Sequence, residues 1–280
     1  MKFFIALLVS LSLHVAPLMA EGEPERARAS LGFGYEEVEP KSRLAPVLLT
    51  GGSRLTLISP DQWVPLAKKL SAILEETHRK YADLFGSIPP HTTTLRLMES
   101  ENFYKESGAP RWTNAMYYRG EITIPLSLTE SVDLENLYRS VKHEYTHAVI
   151  NALSGSRCPG WLDEGLAQWA EGTINPALEP ALRNWVLRHP PVPFKLLQGG
   201  FTRLDPAMVP PAYGQSLYAA QVMMDTFGLI EIGRFLGHLR EGKVRADAFE
   251  LAFSISESSF EDALAESLKK WARQKREIPH

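Results

Sequence analysis

The sequence predicts an α+β fold: a small mixed β-sheet with an edge hairpin in the N-terminal half, then a mostly helical C-terminal half. Three observations lead there. Segments with strand character, "SRLTLIS" (53–59), "HTTTLRLM" (91–98) and "NAMYYRGEITIPL" (114–126), all fall before residue 130. From Ser131 onward the apolar residues recur at helical spacing almost without interruption. Strands come first and helices after, so the chain reads as α+β rather than as a succession of βαβ units.

The first twenty residues, "MKFFIALLVSLSLHVAPLMA", have Lys2 at the start, an apolar run from Phe3 to Val15, and Ala20 before the acidic "EGEPE". That is the layout of a secretory signal peptide, which predicts an exported protein, periplasmic or secreted, with an uncleaved anchor as the alternative because Leu18 is large for the −3 position. No cysteine follows the run, so a lipoprotein anchor is not expected, and no other segment has the eighteen apolar residues of a stable membrane span. Residues 21–44 are charged and mixed and read as a leader or arm. Residues 45–280 read as one domain, strand-containing to about 153 and helical after it. The net charge of −3 contains no block of like charges, which gives no reason to expect nucleic acid as partner. Composition leaves the oligomeric state open. The single cysteine, Cys158, excludes an internal disulfide and reads as a small buried hydrophobe, with a regulatory thiol as the alternative.

Taken in order, "SPDQWVPLAKKLSAILEETHRKYADLFG" is a long helix, with Trp63, Leu66, Leu70, Ile73 and Leu74 at helical spacing and Ser59 or Asp61 as its cap. The hairpin turns at Arg119-Gly120. Helices are expected at about 133–153, 162–171, 213–227, 229–241 and 257–275, with a shorter one at 245–254. A turn at Pro159-Gly160 and a proline-rich connection from "HPPVPF" to "VPPAYG" divide them.

Chemistry concentrates in "SVKHEYTHAVINAL" (140–153). At a hundred degrees per residue, Leu134, Tyr138, Val141, Tyr145, Ala148 and Ala152 share one side, the expected core face. His143 and His147 fall nearly opposite, beside each other, with Glu144 at the edge of that polar side. A spacing of four brings two nitrogens to one metal, and the intervening glutamate can serve as base without being a ligand; this is the H-E-x-x-H arrangement of zinc peptidases. Such a pattern arises by chance in on the order of one chain in fifty to a hundred, and the bland alternative is a solvated helix face that happens to carry histidines. A catalytic zinc takes three protein ligands and leaves a position open. The metzincin extension of the motif is excluded, because Ile150 and Leu153 stand at its glycine and histidine positions. The next helix, in "PGWLDEGLAQWAEG", offers carboxylates: Leu162, Leu166 and Trp169 share one face, and Glu164, Gln168 and Glu171 the other. The two polar sides could meet across a cleft, with Gly165, Ala167 and Ala170 against Ala148 and Ala152 permitting close approach. Two imidazoles and one carboxylate would leave the Zn²⁺ site near +1, suited to acidifying a water.

"HEYTH" followed by "WLDEGLAQWAEG" resembles the gluzincin metallopeptidases, specifically the peptidase-MA-like group. The specific motifs cover about residues 113 to 172, with a looser likeness of element order from about 50 to 275. The resemblance implies a zincin-like fold, one Zn²⁺ per chain held by His143, His147 and Glu164, and Glu144 as general base. Sixteen residues, 148–163, separate His147 from Glu164, slightly fewer than in the related aminopeptidases. By the same resemblance Asn114, Ala115, Met116 and Tyr117 lie on an edge strand that holds an extended peptide. The aminopeptidase branch carries there a glutamate for the substrate's amine; Asn114–Tyr118 has none, which leans towards an endopeptidase acting on exported or envelope proteins. A downstream tyrosine stabilises the oxyanion in related enzymes; Tyr213 is the candidate and Tyr218 the reserve. His78, His91, His189, His238 and His280 lack metal-like spacing. The alternatives to a peptidase are a non-catalytic zinc-bound interaction module and a zinc amidase acting on cell-wall material.

Overall fold

In the computed structural model the described residues are 42–111, 113–129, 131–172, 175–201 and 204–274. The expected signal peptide and all but the last residues of the expected arm lie outside them. The sheet contains β1 (Ser42–Arg43), β2 (Val47–Leu48), β3 (Arg54–Ser59), β4 (Thr92–Glu99), β5 (Met116–Tyr118) and β6 (Glu121–Leu126). Their order is β1-β3-β4-β6-β5, with β2 also pairing β3. Residues expected in the arm thus end inside the sheet, where Ser42 and Arg43 pair with Ser59 and Ile58.

β3, β4 and β6 run parallel, while β5 pairs antiparallel with β6 along Met116↔Thr123 and Tyr118↔Glu121. The hairpin turns at Arg119 and Gly120, whose positive φ values of 47° and 85° suit a tight turn that follows the strand twist. The long helix α1 (Val64–Phe85) crosses between parallel β3 and β4, so the α+β fold opens with a βαβ unit. Its start differs from expectation. A 3₁₀ turn at Asp61–Trp63 precedes it, Ser59 turns to the Pro60 carbonyl, and no side chain caps the helix. Pro65 in the first turn needs no N–H partner there.

A short helix, α2 (Ser100–Ser107), follows β4; only Phe103 of it is buried, too little for a periodic signal. Helix α3 (Leu134–Ser154) begins at Asp133, which accepts from the Asn136 N–H, and ends at Gly155 in the left-handed region. Helices α4 (Gly160–Ala170) and α5 (Leu178–Val186) come next. Helix α6 (Val209–Arg240) is broken at Gly228 (φ 81°), where the sequence separates two helices. Helices α7 (Arg245–Phe253) and α8 (Glu257–Arg273) complete the chain. Among the described residues no helix is long and apolar enough to cross a membrane.

One hydrophobic core runs from the sheet, through α1 and α3, to α8. Helix α3 lies at its centre, against α1 and the sheet on one side and α4 and α6 on the other. It is therefore not two-faced as the sequence suggests. Val141, Tyr145 and Ala148 are buried, but so are His143, Glu144 and His147, whereas Leu134, placed on the core face, is 40% exposed at the helix start. Two core-facing polar groups of α3 are satisfied locally: Tyr145 donates its hydroxyl proton to His78 Nδ1 (2.8 Å), whose Nε2–H donates to the Thr50 carbonyl, and Thr146 pairs with Tyr81 (2.7 Å).

Candidate metal centre

Two helices bring the site together. His143 and His147 are one turn apart on α3, and their rings lie 5.0 Å apart, edge to face. Each offers Nδ1 to a carboxylate of the α4 segment: His143 to Glu171 Oε1 (2.8 Å) and His147 to Asp163 Oδ1 (2.9 Å). A carboxylate only accepts, so both Nδ1 atoms carry a proton, and Nε2 is the nitrogen left to face a metal. His143 Nε2 lies 3.8 Å from Glu164 Oε2. His143, His147 and Glu164 form a group whose ligand atoms all lie within 4.8 Å of one another, with all three residues buried.

The donor set suits a divalent zinc-like cation. Glu164 Oε2 is a buried carboxylate oxygen without a hydrogen-bond partner, a costly condition that a cation relieves. Burial and neighbouring carboxylates raise the Glu164 pKa to about 7, offset in part by the two imidazoles. Burial alone would depress His147, yet the charge and hydrogen bond of Asp163, with Glu164 and Glu144 nearby, lift it to about 10. His143 shifts upward too, its burial outweighed by the Glu171 hydrogen bond and charge. Positive charge is strongly favoured at this point in the core. His143, His147 and Glu164 would hold the metal.

Asp163 and Glu171 were not assigned by sequence reasoning. Glu171 appeared only as a member of a polar face; here it fixes His143 and lies 3.9 Å from Arg139 on α3. Asp163 had no assignment, and its place directly before Glu164, sixteen residues after His147, is the signal that could have found it.

Helix α4 packs tightly on α6 at Gly165, where an added Cβ would collide with the Ser216 carbonyl. The expected packing of Gly165 against α3 is corrected accordingly: the small residue serves the α4–α6 contact. Across it, Gln168 Nε2 donates to the carbonyls of Glu164 and Tyr213, both at 3.1 Å. Tyr213 is buried, its ring 4.8 Å from Phe201, and its hydroxyl has no hydrogen-bond partner. Burial and the charges of Glu164 and Glu144 push its pKa well up, so it is a neutral donor beside the two carboxylates. Tyr218 turns away, its hydroxyl 2.9 Å from Ser267 on α8.

Glu144 is wholly buried, and its Oε2 accepts from the Tyr117 backbone N–H of β5 at 2.7 Å. The edge strand therefore lies directly over α3. Of the four residues expected to hold substrate, Ala115 and Tyr117 have buried side chains, and Asn114 and Met116 are partly exposed. Cys158 is half-buried, its thiol raised by burial and by the nearby Asp163 charge, which keeps it protonated.

Fold and site together define a zincin-type architecture: a mixed sheet with an edge strand over a helix bearing H-E-x-x-H, and a second helix that supplies a glutamate. The profile of the Peptidase MA superfamily matches residues 98–270, and the chain belongs to that superfamily. No curated protein sequence matches. Among solved structures, Legionella pneumophila aminopeptidase A, crystallised with aspartic acid, is similar with a TM-score of 0.52 and 14% identity, over 80% of this chain and 28% of that one. An M1 zinc metallopeptidase from Deinococcus radiodurans gives a TM-score of 0.43 and 16% identity, over 85% of this chain and 53% of that one. The chain thus spans about half or less of these structures' lengths, and the likeness is one of fold.

Proposed function

We propose that this chain is a zinc-dependent endopeptidase acting on exported or envelope proteins. The observation that carries the reading is the buried His143–His147–Glu164 group, backed by Asp163 and Glu171, with Glu144 on the same helix beside it. Zinc, when bound, supplies Lewis acidity that polarises a scissile carbonyl and lowers the pKa of a water.

The remaining steps belong to the protein. Glu144, one oxygen held by the Tyr117 amide, takes the proton of the attacking water and delivers it to the leaving amine. Tyr213, neutral and with its hydroxyl unengaged, donates to the oxyanion that develops on the carbonyl. Edge strand β5 borders the site and orients an extended peptide alongside it, while the Tyr117 amide, already given to Glu144, takes no part in that pairing. The endopeptidase assignment rests on the absence of any acidic residue from Asn114 to Tyr118, which leaves that stretch without a partner for a free amine. Export rests on the signal-peptide pattern of residues 1–20.

The deciding assay is cleavage of a peptide library of blocked and free N-termini by mature protein, with and without a chelator. Cleavage of blocked peptides that the chelator abolishes is expected. Glu144→Gln should keep zinc and lose about 10²- to 10⁴-fold in rate, whereas Glu164→Ala should lose the metal. Full activity of the Glu144→Gln protein would overturn the mechanism.

A further inference from the structure

Tyr117 joins strand β5 to α3 by two hydrogen bonds. The Tyr117 amide donates to Glu144 Oε2 at 2.7 Å, and Asn151 Nδ2 donates to the Tyr117 hydroxyl at 3.0 Å. Glu144 and Asn151 are seven residues apart on α3, two helical turns on one face, with His147 between them. Tyr117 therefore lies lengthwise along the helix, across the turn that carries His147.

The register explains how its amide is available. Residues of an antiparallel pair alternate between facing the partner strand and facing away. The Tyr117 N–H reaches Glu144 rather than β6, so the Tyr117 peptide groups face the outer edge of β5, the last strand of the sheet. On an open edge such a donor meets solvent or an added strand; here it meets a buried carboxylate. At 2.7 Å the bond lies at the short end of N–H···O distances. Holding Oε2 fixes the plane of the carboxylate, and with it the direction of Oε1. The Tyr117 ring is 5% exposed, so the phenol is not offered to a peptide; it sets how deeply β5 sits against α3.

We propose that Tyr117 is the positioning residue of the general base: its amide aims Glu144, and its phenol, held by Asn151, fixes the amide. The proposal rests on the reading of Glu144 as base, and its first test needs no substrate. Amide hydrogen exchange of the zinc-loaded protein, followed residue by residue, should find the Tyr117 N–H protected in the wild type. Glu144→Ala should speed its exchange at least about tenfold while Ile122 and Ile124 of β6 stay protected. Unchanged Tyr117 exchange in Glu144→Ala would overturn the proposal, whatever the outcome for Glu144 as base.

The second test separates positioning from scaffolding, with an internally quenched peptide that the wild type cleaves. Tyr117→Phe and Asn151→Leu each keep the amide but remove the phenol–amide contact. Each should lower kcat about 5- to 20-fold with KM and zinc content unchanged, and the double variant should be no slower than the slower single. Independent, multiplying losses, or a loss of zinc in Tyr117→Phe, would show a structural role and overturn the proposal.

Discussion

A tight contact between helices in the site region gives a prediction with a definite sign. Gly165 follows the glutamate of the metal group and packs on α6. A Cβ placed there would collide with the Ser216 carbonyl oxygen and lie 2.7 Å from Ala220 Cβ and 2.8 Å from the Ser216 carbonyl carbon. Two effects oppose each other in Gly165→Ala. Helix propensity favours alanine by up to about 1 kcal/mol. Overpacking against a helix backbone, which cannot rotate away as a side chain can, costs about 3 kcal/mol or more. Relief requires α4 and α6 to part by about 1 Å, since carbon atoms rest about 3.5–4.0 Å apart. The clash wins, with a net loss of at least about 2 kcal/mol and a fall in Tm of about 4 to 8 °C. Because Glu164 is the adjacent residue, and Gln168 bridges the same helix to Tyr213, zinc affinity should fall with it. Gly237 is the control. It also lies in α6, nothing stands within 4 Å of its would-be Cβ, and Gly237→Ala should raise stability by up to about 1 kcal/mol. Thermal unfolding followed by circular dichroism, with zinc per chain measured beside it, decides the matter. A Gly165→Ala protein as stable as wild type, or the same sign for both substitutions, would refute the reasoning.

The carboxylates behind the histidines should be felt in metal binding: Asp163→Ala and Glu171→Ala are each expected to weaken zinc about 10- to 100-fold in chelator competition, and unchanged affinity would show that Nδ1 is held by other means. Acid should loosen the packing of α1 against the loop before β3. Burial holds the pKa values of His78 and His91 below their usual 6.5, partly offset by the hydrogen bonds they donate to the Thr50 and Pro89 carbonyls, while His91 also feels His78. Both are therefore neutral when folded, and the stability they contribute is complete above about pH 6.5 and lost as pH falls through that value towards their folded pKa. The metal-site histidines titrate as well, so the readout is the difference between wild type and His91→Gln in urea unfolding at pH 7.5 and 5.5; the variant should lose less on acidification, and an equal loss would refute the assignment.

What the sequence revealed, and what it concealed, divides by the range of the interaction. The H-E-x-x-H pair depends on one helical turn and was legible from spacing alone. So was the break at Gly228, where two periodic segments meet. Helix α5 was not anticipated, although Leu178, Leu182 and Val186 are spaced by four and all buried; Pro180 in its first turn obscured a short pattern. The two-residue strands β1 and β2 are too short to show a period of two. Whether β3 and β4 run parallel depends on where α1 crosses, which no local pattern contains. The roles of Asp163 and Glu171 likewise depend on the placement of α4 against α3.

The reversal of the polar face of α3 follows from the same limit. Periodicity shows that His143, Glu144 and His147 share a side; it cannot show that α4, α6 and β5 cover that side. Burying such groups costs several kcal/mol per ion unless each is paired, and the structure shows the pairing nearly complete. His143 has Glu171, His147 has Asp163, and Glu144 has the Tyr117 amide. Among the buried polar atoms that lack a hydrogen-bond partner here, which include Arg139 Nε, Gln168 Oε1 and Ser216 Oγ, two belong to the groups of the proposed chemistry, the Glu164 Oε2 and the Tyr213 hydroxyl. One is an acceptor beside two imidazole nitrogens, and the other a neutral donor beside two carboxylates. Under the proposed mechanism they are the two atoms that a metal ion and a substrate oxygen would satisfy.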